Sequence, residues 1–298
     1  MGVKGKLFCF GLGYSGQAIA RELMRDGWQV CGTCRDADQA QQLTAAGIET
    51  AVFDGQTPLS DLEQRLVDVT HMLVATPPSA PDGDPVLRCH RKTITDAAGL
   101  DWIGYLSTTG VYGDTQGKRV DETAPLLPTS DRSCRRVQAE QDWLALQEQH
   151  ALPVHIFRLS GIYGPGRSPL DAVRAGKARQ VVKPGHKFSR IHVDDIVSVA
   201  RASMAAPRPG RIYNLCDEAA CAPADVTRFA CDLLGISPPP EISFEVAKKE
   251  MSAMALSFWN DNRLISNDRI KSELGVKLAY PTYREGLQAI LSAEASSD

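Results

Sequence analysis

The stretch Lys6-Leu7-Phe8-Cys9-Phe10-Gly11-Leu12-Gly13-Tyr14-Ser15-Gly16 decides the fold. Lys6–Phe10 reads as an apolar strand, and Gln17–Asp26 has helical spacing with Ala18, Ile19, Leu23 and Met24 on one face. Between them stands G-L-G-Y-S-G at 11–16. Strand, spaced glycines and helix in that order are the context a dinucleotide-binding turn requires. Gly11 permits the tight turn, Gly13 lets the backbone approach a pyrophosphate, and Gly16 lets the helix pack closely on the sheet. The start of the helix offers N–H groups and partial positive charge to phosphates. Gly11, Gly13, Tyr14, Ser15 and Gly16 are therefore assigned to a dinucleotide.

Working outward, Gly27 falls at the helix C-terminus, Trp28–Thr33 is a second strand, and Asp36–Ala46 is a helix ended by Gly47. Ile48–Phe53, His71–Thr76 and Trp102–Ser107 continue as strands, and the proline-rich stretches 76–85 and 125–128 read as loops. Ser133–Gln149 is helical, with Val137, Trp143, Leu144 and Leu146 as core contacts, and Val154–Leu159 is a strand. Strands alternating with helices predict an α/β protein with a doubly wound parallel sheet. After Gly166 the alternation loosens, predicting a smaller C-terminal substrate lobe. The expected division is a Rossmann domain over 1–165, with contributions from about 188–216, and a lobe formed by 166–187 and 217–298. There is no internal repeat.

The chain of 298 residues is 43% hydrophobic and 23% charged, which suits a globular protein. No apolar run approaches the roughly 18 residues of a membrane helix, and MGVKGKLFCF lacks a secretory pattern. Eight scattered cysteines read as reduced thiols, so a cytoplasmic protein is expected. Cys31 and Cys34 form a C-x-x-C on a strand, without the second pair a zinc site needs, and no metal is expected. The net charge of −3 gives no pull toward nucleic acid or anionic membranes. The charge is uneven, however. From Arg158 to Arg190 there are eight Lys or Arg residues against Asp171 alone, so that segment carries +7 and the remainder −10. It is either a solvated basic face or a site for an anionic ligand.

The end of the second strand sets the cofactor. An enzyme using NAD usually places an acid there to bind the ribose hydroxyl. Here Arg35 stands at that place and suits the extra phosphate of NADP, while the adjacent Asp36 leaves NAD possible. Asp54 is either a partner for the adenine amino group or a loop-capping carboxylate. Ala75 and Thr76, ending the fourth strand, are also assigned to the cofactor.

With these features goes a set of further motifs: L-S-T-T-G-V-Y-G at 106–113, R-L-S-G-I-Y-G-P-G at 158–166, S-R-I-H-V-D-D-I at 189–196, Y-N-L-C-D at 213–217 and E-L-G-V-K-L-A-Y-P at 273–281. Together they resemble the extended short-chain dehydrogenase/reductases, in an atypical NAD-dependent epimerase/dehydratase-like branch, over nearly the whole chain. The resemblance implies a Ser or Thr after the fifth strand, a role that falls on Thr108, and a Tyr-x-x-x-Lys pair on the next helix. Alignment on Glu140 puts Arg132 at the Tyr and Arg136 at the Lys, and the family's Asn is replaced by Gly161. A guanidinium does not deprotonate in proteins, so Arg132 cannot shuttle a proton. Arg136 is kept as a ribose contact, and Tyr112 is the substitute acid, with Tyr163 behind it. Arg167, Arg190 and His192 are assigned to an anionic substrate such as a nucleotide sugar. Two readings follow: an NADP(H)-dependent oxidoreductase or epimerase, or a non-catalytic cofactor-binding sensor. The resemblance also implies a homodimer pairing the helices near Val86–Ala97 and Ser133–Gln149, with Trp143 as an interface anchor or a core residue.

Overall fold

The computed structural model describes residues 4–79 and 83–296. Residues 80–82 of the expected 76–85 loop and the first three residues of the leader reading lie outside the described residues. The chain divides into two compact units.

The first unit runs to Thr108 and adds Asp131–Arg158 and Ile196–Tyr213. Its elements are β1 (Lys6–Phe10), α1 (Tyr14–Arg25), β2 (Gln29–Cys34), α2 (Ala37–Ala45), β3 (Glu49–Val52), α3 (Leu62–Arg65), β4 (His71–Val74), α4 (Pro85–Asp96), β5 (Trp102–Thr108) and α5 (Asp131–His150). In the seven-stranded sheet β3, β2, β1, β4 and β5 lie side by side, followed by Val154–Leu159 and Ile212–Leu215. The β1–β2, β2–β3, β1–β4 and β4–β5 pairs are parallel. This is a doubly wound sheet, the class read from the sequence, and its order places the first strand centrally.

Parallel strands covered on both faces read as continuous apolar runs. Phe8 and Phe10 of β1, Met72 and Val74 of β4, and Ile103 and Tyr105 of β5 enter one core with Val86, Ile94, Trp143 and Leu146 from the helices. Trp143 is fully buried and its Nε1 donates to Asp84 Oδ2 at 3.2 Å, so it is a core residue and not an interface anchor. The exposed positions of α4 include Arg88, Arg91 and Lys92, and those of α5 include Arg132, Gln138 and Gln141. α1 begins three residues earlier than its apolar spacing suggested, because Gly13 is its N-cap.

The second unit takes Thr109–Ser130, Leu159–Asp195 and Asn214 onward. With 166–187 assigned to the lobe, the expected Rossmann stretches 1–165 and about 188–216 include Thr109–Ser130 and the ends of Leu159–Asp195. They join the second because Arg119–Val120 pairs with Leu264–Ile265 and Gly161–Tyr163 pairs with Arg190–His192, both in parallel. Its core gathers Leu170, Val173, Val226, Ala230, Leu287 and Ile290.

All eight cysteines are free. Cys31 and Cys34 are buried, Cys89 and Cys221 half-buried, and Cys134 on α5 is exposed. No helix among the described residues is long and apolar enough to cross a membrane.

Candidate active site

Gly11, Ala75 and Thr108 end or follow three neighbouring parallel strands, in which Phe10 pairs with Val74 and Val74 with Tyr105. In such sheets ligands bind beyond the strands' carboxyl ends. At β1 the chain turns on Gly11, whose φ of +94° is strained for any other residue. The turn is braced from β2, since Gly11 N donates to Thr33 Oγ1 at 3.1 Å and Leu12 N to Thr33 O at 2.7 Å. Gln17 Nε2 donates to Leu12 O at 2.9 Å. A Cβ on Gly16 would lie 2.6 Å from Gly11 O, whereas one on Gly13 would meet nothing within 4 Å. α1 has no side-chain cap and no acid in its first turn. The positive end of α1, fronted by open space at Gly13, fits a pyrophosphate. Tyr14 and Ser15 lie in this first turn, and Thr76 packs against Gly11.

At the end of β2, Arg35 is exposed and has no ion pair or hydrogen bond among the described residues. Asp36 N-caps α2, its Oδ1 accepting from Gln39 N at 2.8 Å. Asp54 Oδ1 accepts from Gln56 N at 2.7 Å and Thr57 N at 2.9 Å, bonds that hold its carboxyl below the usual range. Of its two readings, the loop-capping one is realised. These residues suit a nicotinamide dinucleotide, with Gly11–Gly16 for the pyrophosphate and Arg35 for a ribose phosphate.

α5 brings the Arg136 guanidinium to the end of β5, with Arg132 one turn before it on the same helix. Arg136 is 8% exposed, and its Nη1 donates to Leu106 O at 2.7 Å and Tyr105 Oη at 3.0 Å. One helical turn earlier, Arg132 is held below the ordinary arginine pKa by partial desolvation and then by the charge of Arg136. A further turn along, Glu140 is buried and bridges strand and helix. It accepts from Ser107 Oγ at 2.5 Å and from Arg158 Nη2 at 2.7 Å and Nε at 3.1 Å. Thr108 is half-buried at the tip of β5.

The second unit encloses three of the assigned side chains. Tyr112 is 1% exposed and donates its phenolic proton to Asn214 Oδ1 at 2.7 Å, which ties its side chain into the core. Tyr163 donates to Thr282 O at 3.3 Å, and burial pushes its phenol far above its usual value. His192 is 1% exposed, accepts from Asp194 N at 3.2 Å and packs between the rings of Tyr163 and Tyr280, so it does not face a substrate.

The basic segment is largely spent on partners. Arg174 pairs with Glu294 at 2.5 Å, Arg179 with Glu250 at 2.7 Å and Arg158 with Glu140. Lys183 donates to Trp259 O. Arg190 Nη1 donates to Phe188 O at 3.1 Å and Cys221 Sγ at 3.0 Å, and Arg167 is exposed in a tight bridge with Gly164. Much of the segment's charge is thus engaged within the second unit and on Glu140 of α5 rather than gathered at one place. No metal-holding group of three His, Cys, Asp or Glu residues occurs among the described residues. Thr33 and the Ser107–Glu140–Arg158 link escaped the motif reading. Only Glu140 carried a signal, through its family spacing.

Sheet order and glycine turn together define a Rossmann-type α/β protein. A model of the NAD dependent epimerase/dehydratase family matches residues 86–216. Protein YeeZ of Escherichia coli (strain K12) is 30% identical over 292 residues, 93% of this chain and 96% of its own. A solved structure of a functionally unknown conserved protein from Silicibacter pomeroyi is 46% identical, with TM-score 0.87 over 98% of this chain and 99% of that one. The 3-diazoavenalumate denitrifying reductase of a Streptomyces species is 26% identical over 294 residues, 92% of this chain and 96% of its own. The chain belongs to the NAD-dependent epimerase/dehydratase family.

Proposed function

We propose that the protein is an NADPH-preferring reductase of a small anionic metabolite, a nucleotide sugar or another phosphate- or carboxylate-bearing carbonyl compound. The observation that carries this reading is the pair Arg132 and Arg136, with Arg136 fixed on Leu106 O and Tyr105 Oη at the end of β5. An epimerase or dehydratase begins by taking a proton from a substrate hydroxyl, and a guanidinium cannot accept one. Two guanidiniums instead favour negative charge that builds on a carbonyl oxygen, and they attract an anionic substrate. The bound dinucleotide would supply hydride. Thr108 can donate a hydrogen bond to the reacting oxygen, and the proton then comes from solvent. The name of the Streptomyces relative, a reductase, agrees in direction.

The test is oxidation of NADPH against carbonyl compounds with and without a carboxylate or phosphate. Turnover confined to the anionic set is expected, with Arg132→Met losing about a hundredfold or more, the usual cost of removing such a donor. Interconversion of nucleotide sugars without net NADPH oxidation would overturn the direction of the reaction. A second reading, a cofactor-binding sensor, draws on the burial of Tyr112, whose phenol is held by Asn214. It predicts tight NADPH binding and no oxidation across the same panel.

A further inference from the structure

The second unit has a pocket of about 380 Å³ that none of the residues assigned so far lines. Its walls come from four places. Arg119 and Ile265 belong to the short paired strands, Lys187 and Ser189 precede the strand Arg190–His192, Asp217 opens the loop after Ile212–Leu215, and Asn267 and Lys271 flank the start of the helix Asp268–Leu274.

The donors divide into two kinds. Arg119, Lys187 and Lys271 are cations. Lys271 pairs with Glu218 at 2.8 Å and Arg119 lies 3.5 Å from Asp268, both at exposed positions where such pairs are weak. The Lys187 ammonium has no partner among the described residues. The other polar groups, an amide and a carboxyl, are better enclosed. Asn267 is 2% exposed and donates its Nδ2 to Cys216 O at 2.9 Å, leaving its Oδ1 as an acceptor. Asp217 is 4% exposed; its Oδ1 accepts from Ala219 N at 3.3 Å, and its Oδ2 is enclosed with no hydrogen-bond partner. An enclosed polar atom without a partner is uncommon and calls for an explanation such as a missing ligand or water.

We propose that this pocket is an accessory site for a monosaccharide phosphate, with Lys187 and Arg119 on the phosphate and Asp217, Asn267 and Ser189 reading the sugar hydroxyls. Cations that are free or weakly paired suit a phosphate, and a carboxyl beside amide and hydroxyl groups suits a polyol. The volume lies at the small end of ligand pockets, which favours one sugar ring with its phosphate over a dinucleotide. The site does not depend on the reductase reading, because it shares no residue with the Arg132–Arg136 centre.

Thermal unfolding in the presence of glucose 6-phosphate, inorganic phosphate or glucose tests it, since a ligand that binds the native state raises Tm with concentration. Glucose 6-phosphate should raise Tm more than either part alone. The gain should vanish in Lys187→Met with Arg119→Met, both exposed and outside the core, and persist in Arg132→Met. NADPH affinity, measured by calorimetry, should be unchanged in the double variant. An equal rise with inorganic phosphate alone would overturn the sugar assignment. No rise, or a rise that survives the double variant, would overturn the site.

Discussion

Arg35 stands exposed at the end of β2 with no ion pair among the described residues, while the neighbouring Asp36 is occupied as the cap of α2. A hydrogen bond to a charged group contributes about 1.5–3 kcal/mol net. NADPH should therefore bind tenfold or more tightly than NADH, and Arg35→Gln should remove that preference in calorimetric titrations. Equal binding of the two cofactors by the native protein would remove Arg35 from the site. Tyr112 gives the opposite kind of prediction. Its phenol meets Asn214, whose N–H donates to Glu122 Oε1 at 2.8 Å. Tyr112→Phe should lower stability by about 1 kcal/mol, the usual net worth of such a bond, and leave turnover near native. A large loss of turnover with normal stability would return Tyr112 to the chemistry. The V-Y-G motif could not decide this, because the same spacing places a phenol in a cleft or in a core. What decides it is Asn214, 102 residues away in sequence.

Among the elements, β1, its glycine turn and α1 were legible because each part is local: an apolar run, glycines with steric duties, and a helical stripe. The basic segment was not. Three of its eight cations, Arg158, Arg174 and Arg179, pair with Glu140, Glu294 and Glu250, the last two on distant parts of the chain, and sequence spacing carries no trace of those pairs. The link between β5, α5 and the strand Val154–Leu159 has a measurable consequence. Glu140 and Arg158 are only 2% and 3% exposed as side chains. Removing one partner of a buried pair strands the other charge and costs about 3–5 kcal/mol. Glu140→Gln should thus shift the denaturant midpoint strongly downward. A shift no larger than that of an exposed pair such as Arg174–Glu294 would show that the charge is relieved by another route.

Across the whole molecule, buried titrating groups give stability a dependence on pH from both sides. His155 is fully buried, with Nδ1 against Ile103 O at 3.4 Å and Nε2 accepting from Arg208 N at 2.8 Å, and desolvation lowers its pKa to about 4. The unfolded chain takes up a proton near 6.5 that the folded one refuses, so stability falls as pH drops from about 6.5 toward about 4. Asp217 acts in the other sense. Burial pushes it up to about 7, so the folded state holds a proton that the unfolded chain has already lost. Stability therefore falls as pH rises from the ordinary carboxyl range to about 7. Urea midpoints measured across this range should flatten on the acid side in His155→Gln and on the neutral side in Asp217→Asn. Unchanged profiles would mean that both groups are relieved by water. The doubly wound parallel class was readable from alternation alone, whereas the strand order and the boundary between the units were not, because strand pairs such as Arg119–Val120 with Leu264–Ile265 join distant stretches.

The distribution of thiols offers an optical handle. Cys134 is the exposed cysteine, and it lies on α5 between Arg132 and Arg136. Burial raises the thiols of Cys89 and Cys221 and keeps them less reactive. A maleimide dye should thus couple to about one equivalent per native chain, at Cys134, without any engineered cysteine. Two residues from each arginine, the dye would stand on the face of α5 turned away from both guanidiniums, so it would report changes in the helix without occupying the place where a ligand meets them.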